Sequence, residues 1–156
     1  MIKRRSWTVE EFVAHLRKEA EGIPQLTVVF HGCGSDTLKG FYSRLLPCLN
    51  HDDAIWFIPA QATRQTVPPE FRNAVILDLS RDTDRRVYRN LIGDLVFFNA
   101  SDEAEIAEIE SWKGRARAIV VDSSGARADA ALFVSCRSLS MTYAWSEATL
   151  DEYAEA

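Results

Sequence analysis

The sequence contains few cysteines, and their positions exclude two kinds of cross-linked protein. The residues are Cys33, Cys48 and Cys136, an odd number with no C-x-x-C pair and no regular spacing. Secreted disulfide-rich domains carry a dense, even set of cysteines, and structural zinc sites need closely spaced pairs. We therefore expect a cytoplasmic protein with no disulfide framework, no zinc site and no resident cofactor.

Long apolar runs and an excess of basic charge are also missing. No stretch approaches the ~20 apolar residues that span a bilayer, and the basic segment 1–7 lacks the apolar part of a signal peptide. The chain has 18 Lys and Arg against 23 Asp and Glu, a net charge of −5, which argues against a general nucleic-acid binder. Neither a membrane nor a nucleic acid is an expected partner of this acidic protein.

Glycine and proline are sparse, which excludes a wholly disordered chain. There are 7 Gly and 5 Pro among 156 residues, and 47% of the residues are hydrophobic, as in an ordinary globular protein. This length is about that of one domain and is sufficient to bury a core. We predict a single α/β domain over residues 1–156.

The clearest local pattern is an amphipathic helix near the start of the chain. Apolar residues recur at helical spacing over residues 9–20. Thr8 and Glu11 have the spacing of a capping box, and Trp7 and Phe12 occupy the positions of a hydrophobic staple. The sequence therefore predicts a helix that begins directly after Thr8.

Short apolar runs then alternate with helical stripes at residues 38–45 and 83–92 and in the acidic stretch 102–110. Such alternation is typical of crossover units, in which helices join parallel strands and cover both faces of the sheet. We predict a Rossmann-like three-layer sandwich with a mostly parallel sheet, and the strand order stays open. The predicted buried strands are Leu26–Phe30, Ala54–Ile58, Ala74–Leu77, Leu95–Phe98 and Ala118–Val121.

The last third of the chain has a different pattern. Apolar and small or polar residues alternate strictly over residues 138–145, which is typical of a half-exposed strand. We predict an antiparallel C-terminal hairpin or edge strand that exposes Tyr143 and Trp145. Residues 145–156 are expected to form a short helix or a frayed acidic tail.

Small and polar residues follow the predicted strands. Because open parallel sheets bind ligands at the carboxyl ends of their strands, we expect these residues to share one polar edge. Each aspartate has a simpler alternative role as a turn former or helix cap. The candidate ligand-binding residues are His31, Gly32, Cys33, Gly34, Ser35, Asp36, Asp78 and Asp122.

The loop after the first predicted strand carries the most information. His31-Gly32-Cys33-Gly34 is similar to the H-G-x-G oxyanion-hole loop of α/β-hydrolases, but the chain has no G-x-S-x-G nucleophile elbow. No catalytic residue is therefore transferred from that family. Two glycines before a helix favour either a site for a phosphate or carboxylate or a plain strand–helix turn capped by Ser35 or Asp36.

Three further patterns leave alternatives open. Cys33 could act as a nucleophile with His31 or His51 as its base, or it could simply fill the turn. Asp78, Asp102 and Asp122 could converge on Mg²⁺. The arginines around the third helix, at positions 81, 85, 86 and 89, either hold a phosphate or an acidic partner or form a solvated face neutralised by Asp82 and Asp84.

Two functions follow from these patterns. We favour a non-catalytic module that binds a partner protein or a second copy through Tyr143 and Trp145, with a small anionic, phosphate-bearing ligand at the strand ends. The alternative is a small hydrolase or transferase that acts on a nucleotide or phosphorylated substrate. The fold alone does not separate them, because such scaffolds host both.

Overall fold

The computed structural model describes residues 2–19, 25–31, 36–59, 69, 73–99, 111–112, 114–122, 142–146 and 149–154. No helix in these ranges is long and apolar enough to cross a membrane. The helices are α1 (Val9–Glu19), α2 (Asp36–Leu45) and α3 (Asp82–Asn90), with a 3-10 helix at Leu46–Cys48. The strands are β1 (Ile2–Trp7), β2 (Thr27–His31), β3 (Ala54–Ile58), β4 (Val75–Ile76), β5 (Gly93–Asn99), β6 (Ala116–Asp122), β7 (Thr142–Ser146) and β8 (Thr149–Ala154).

These strands form one sheet in the order β1-β8-β7-β6-β5-β2-β3-β4. The strands from β2 to β7 pair in parallel, whereas β8 runs antiparallel to both β7 and β1. The predicted α/β sandwich with a mostly parallel sheet and an antiparallel C-terminal hairpin is confirmed. When β2 is numbered as the first parallel strand, the order is 3-2-1-4-5-6, which is a common order in doubly wound sheets.

Helices cover both faces of the sheet, so the core has two layers. On one face, α1 and α2 pack against β-strand side chains, and Phe41 lies with Phe97 in a buried cluster. On the other face, Tyr88 of α3 lies with Phe98 in a second buried cluster. Phe97 and Phe98 are neighbours in β5 and therefore point to opposite faces. Burial of both rings explains why the central strands are continuous apolar runs.

The start of α1 matches the sequence prediction. The backbone N–H of Glu11 donates to Thr8 Oγ1 at 3.1 Å, and the backbone N–H of Thr8 donates to Glu11 Oε1 at 3.0 Å. This reciprocal pair is the predicted capping box, and it satisfies two backbone donors at the helix start. Trp7 and Phe12, at the staple positions, are both buried in the cluster under α1.

The two terminal strands depart from the sequence prediction. The helix or frayed tail expected over residues 145–156 is wrong, because residues 149–154 form β8 between β7 and β1. No strand was predicted before α1, where β1 lies. β1 and β8 pair with each other although they lie at opposite ends of the sequence. The Ser6 hydroxyl also donates a hydrogen bond to Asp151 Oδ1 at 2.6 Å.

The strand predicted at Ala74–Leu77 is present but is not buried as expected. It is reduced to β4, whose Val75 and Ile76 are 49% and 41% exposed. Among the described strands, β4 pairs only with β3 and so lies at the edge of the sheet. The next helix, α3, ends at Asn90, and Gly93 begins β5 instead of stopping the helix.

Candidate functional site

The carboxyl ends of the parallel strands meet at one edge of the sheet, which we call the carboxyl edge. At this edge, His31 pairs in register with Phe98, and Asn99 pairs with Asp122. The structure thus brings predicted polar strand ends from β2, β5 and β6 onto neighbouring strands. Asp36 begins α2 at the same edge; its side chain and those of Asn99 and Asp122 lie outside the described part of the structure.

The chain order reverses between β2 and β5, which makes their carboxyl ends a topological switch point. From β2 the chain passes through α2 to β3 on one side, and from β4 it returns through α3 to β5 on the other. Open α/β sheets bind their ligands at this kind of position. The candidate residues Gly32, Cys33, Gly34 and Ser35 lie outside the described residues, between the end of β2 and the start of α2.

His31, the last residue of β2, is buried on the face covered by α3. Its side chain is 3% exposed, and its ring stacks on Phe98 with centroids 4.9 Å apart. The ring of Tyr88 lies 5.8 Å away. The imidazole therefore packs against the second core cluster, directly beneath the switch point, and it fixes α3 close to the end of β2.

Asp78 shapes the turn between β4 and α3. Its Oδ1 accepts hydrogen bonds from the Ser80 hydroxyl at 2.6 Å and from the Ser80 backbone N–H at 3.0 Å. These bonds hold the pKa of Asp78 below its ordinary value. The backbone N–H of Asp78 donates to Asp84 Oδ2 at 2.9 Å. Asp78 therefore forms a turn, which is the simpler of the two roles that the sequence analysis gave it.

The catalytic alternatives gain no geometric support. His51 lies before β3, at the opposite end of the strands from His31, so the two candidate bases for Cys33 are far apart. Cys33 and Asp102 themselves lie outside the described residues. Within the ranges that are described, no group of three or more His, Cys, Asp or Glu side chains could hold a metal ion.

The arginines of α3 are exposed, and among the described residues the neutralised face that was one of the two alternatives is formed only in part. Arg85 forms an ion pair with Asp82. Asp84 instead accepts a hydrogen bond from the backbone N–H of Asp78. Arg81 is the N-cap residue of α3, and its carbonyl accepts the backbone N–H of Arg85 at 3.0 Å. In the described part of the chain, Arg81, Arg86 and Arg89 form no ion pair.

A polar cluster that the sequence analysis missed lies at the opposite edge of the sheet, at the amino ends of the strands. Asp94 accepts the backbone N–H of Thr27 at 2.8 Å and pairs with Arg117 at 3.0 Å. Arg117 also donates to the carbonyl of Leu16 at 2.9 Å, at the end of α1. These groups satisfy each other, so this amino edge has a structural role. The partners are far apart in sequence, and no local pattern reveals them.

The aromatic surface expected on β7 is not present. Tyr143 and Trp145 are both completely buried, and β7 lies between β6 and β8 and is not an edge strand. Trp145 packs against Phe41 with ring centroids 5.1 Å apart. The Tyr143 hydroxyl donates to Glu152 at 3.3 Å, and burial together with that carboxylate raises the pKa of Tyr143. The prediction that these rings are exposed for a partner is wrong.

No protein-family model, curated protein or solved structure matches the chain. The candidate site is therefore assigned from the topology and from the chain's own residues.

Proposed function

We propose that this protein binds a small phosphate-bearing molecule at the carboxyl edge of its sheet, at the switch point between β2 and β5. The observation that carries the proposal is the reversal of strand order at this point. Doubly wound sheets bind nucleotides and related ligands where the order reverses. The aromatic residues of β7 are buried, so this edge has more support as a ligand site than they have.

The sequence at the switch point suits an anion. Only four residues, Gly32 to Ser35, separate β2 from α2, and two of them are glycines, which allow a ligand to approach the backbone closely. The first N–H groups of any α-helix have no partner within the helix, and the positive end of the helix dipole lies at its N-terminus, so the start of α2 suits an anion. A phosphate group is the ligand class that best matches these donors.

The ligand we propose is smaller than NAD. In dinucleotide-binding sheets, an acidic residue that follows the second parallel strand binds the ribose hydroxyls. Here that strand is β3, which ends in Ile58 and is followed by the half-buried Pro59. A nucleoside phosphate or another phosphorylated small molecule fits these residues better than a dinucleotide does.

Tyr143 and Trp145 do not support binding to a partner protein, because both side chains are buried. The cytoplasmic location remains part of the proposal. It is supported by an odd number of cysteines without framework spacing, as expected in a reducing compartment.

Amide chemical shifts during titration with inorganic phosphate, pyrophosphate and ATP test the proposal. We expect saturable shifts at His31, Asp36 and Asn99, and none at Thr27 or Asp94, which lie at the amino edge. Product analysis of the ATP samples tells binding from turnover. Shifts absent from the carboxyl edge at millimolar ligand, or equal at both edges, would contradict the proposal.

A pair of glycine variants provides a matched control. Gly34→Ala adds a methyl group in the proposed binding loop and is expected to weaken binding. Gly40→Ala adds the same group on the exposed side of α2, where no atom lies within 4 Å of the new Cβ. It is expected to bind as the wild type does. Equal affinity in both variants would remove the loop from the site.

A further inference from the structure

Helix α3 carries positive charge that its own acidic residues do not neutralise. Arg86 and Arg89 are both exposed, and neither forms an ion pair within the described ranges. Asp82 pairs with Arg85 instead, and Asp84 accepts a backbone hydrogen bond from the turn before the helix. In a chain with a net charge of −5, this helix therefore presents a locally basic surface.

The helix repeat places these arginines away from the sheet. Tyr88 is the residue of α3 that is buried in the core cluster beneath the helix. At about 100° per residue, Arg86 lies about 160° around the helix axis from Tyr88, and Arg89 and Val87 lie about 100° from it on opposite sides. We call Arg86, Val87 and Arg89 the outer face of α3.

The outer face also exposes apolar surface. Val87 is 42% exposed, and Ile92, just after the end of α3, is 69% exposed. Protein–protein interfaces are enriched in arginine and combine a polar rim with apolar contact area. The outer face of α3 has this combination, with two guanidinium groups beside an apolar side chain.

We propose that the outer face of α3 binds an acidic amphipathic helix of a partner protein. Carboxylates one turn apart on such a helix have about the same separation as Arg86 and Arg89, which are three residues apart on α3. Guanidinium groups form bidentate, charge-assisted hydrogen bonds with carboxylates, and an apolar residue of the partner covers Val87. The net charge of −5 and the apolar side chain both favour an acidic protein over a nucleic acid. This surface does not depend on the ligand site at the carboxyl edge.

A binding assay with a designed peptide tests the proposed surface. The probe is a fluorescein-labelled amphipathic helix that carries Glu residues one turn apart beside Leu residues, and a matched probe has Gln in place of every Glu. In a fluorescence anisotropy titration, the wild type should bind the Glu peptide saturably and more weakly as the salt concentration rises. It should bind the Gln peptide at least about tenfold more weakly.

Variants of three surface positions locate the binding. The double variant Arg86→Gln, Arg89→Gln should weaken binding about tenfold, because two charged contacts are lost. Val87→Ser should weaken it about threefold through the loss of apolar contact. Arg44→Gln is the matched control and should stay within about twofold of wild type, because Arg44 is an exposed arginine in the last turn of α2, on the other face of the sheet. Urea midpoints equal to that of wild type would show that the variants are folded.

The outcomes either support the surface or remove it. Saturable binding that is lost in the double variant and retained in Arg44→Gln supports it. No binding of the Glu peptide by the wild type overturns the inference, and so does equal weakening in the double variant and Arg44→Gln, which would show a general charge effect. A single-stranded DNA oligonucleotide that binds as tightly as the Glu peptide would also overturn it, because the surface would then accept any polyanion.

Discussion

Asp53 joins three parts of the chain through one carboxylate. Its Oδ1 accepts the backbone N–H of Leu26 at 2.8 Å, and its Oδ2 accepts that of Asn50 at 2.8 Å and lies 2.5 Å from Arg17 Nη2. The Asp53 side chain is completely buried. Burial alone would raise the pKa of Asp53, but these hydrogen bonds and the charge of Arg17 outweigh it and hold the pKa below its ordinary value.

We predict that Asp53→Asn lowers the free energy of unfolding by about 3 kcal/mol, because the substitution leaves the partly buried Arg17 without its counter-charge. The effect depends on pH. The folded-state pKa lies below the ordinary value of 3.8, so the unfolded chain takes up the proton first as the pH falls. The stabilisation is present above pH 3.8 and is lost as the pH falls through the folded-state pKa.

Urea unfolding between pH 3 and pH 7 measures both effects. The wild type should lose stability towards pH 3 more steeply than Asp53→Asn does. Asp52→Asn is the matched control, because Asp52 is the exposed neighbour and, among the described residues, its ion pair is with the exposed His51. A change within about 0.5 kcal/mol is expected. Parallel pH curves for the wild type and Asp53→Asn would contradict the account.

Helix α1 and strand β1 are adjacent in sequence but differ in how much local information they carry. The start of α1 is specified by residues three or four apart, as in the pair of hydrogen bonds between Thr8 and Glu11. β1 has no such local signal, because three consecutive basic residues interrupt any apolar pattern in it, and its partner, β8, lies at the other end of the chain. Thus α1 could be predicted from the sequence, whereas β1 could not.

We predict that Thr8→Ala lowers the free energy of unfolding by about 1 kcal/mol, because the N–H of Glu11 loses the oxygen that accepts it. Chemical denaturation measures this change. Thr83→Ala is the control: Thr83 is exposed near the start of α3, and alanine there should leave stability unchanged or raise it slightly. A Thr8→Ala midpoint equal to that of wild type would show that the capping box contributes nothing to stability.

An apolar run in the sequence predicts that a strand is present, but it does not predict how deeply the strand is buried. β3 has the predicted bounds, β2 is shifted by one residue from its prediction, and β5 and β6 extend beyond theirs at both ends. These strands could be predicted because residues buried on both faces leave a continuous apolar run. Val75 and Ile76 are apolar like the residues of the buried strands, but they are exposed because β4 lies at the edge of the sheet. The alternation of apolar and polar residues in β7 likewise predicted an exposed face. In the structure, that face is buried by the neighbouring strands and by the helices packed against it.

How much of the candidate site could be predicted from the sequence depends on the strand order. A shared polar edge could be predicted because parallel strands end together, and His31, Asn99 and Asp122 do lie there. The switch point could not be predicted, because it depends on β2 lying between β3 and β5, which no local pattern encodes.

We propose that the reversal of strand order between β2 and β5 creates the ligand site. A crystal structure of the protein grown with pyrophosphate tests it most directly. We predict density for the anion at the carboxyl edge, within hydrogen-bonding distance of the backbone between His31 and Asp36. Pyrophosphate bound elsewhere, with that edge filled by the protein's own side chains, would contradict the account.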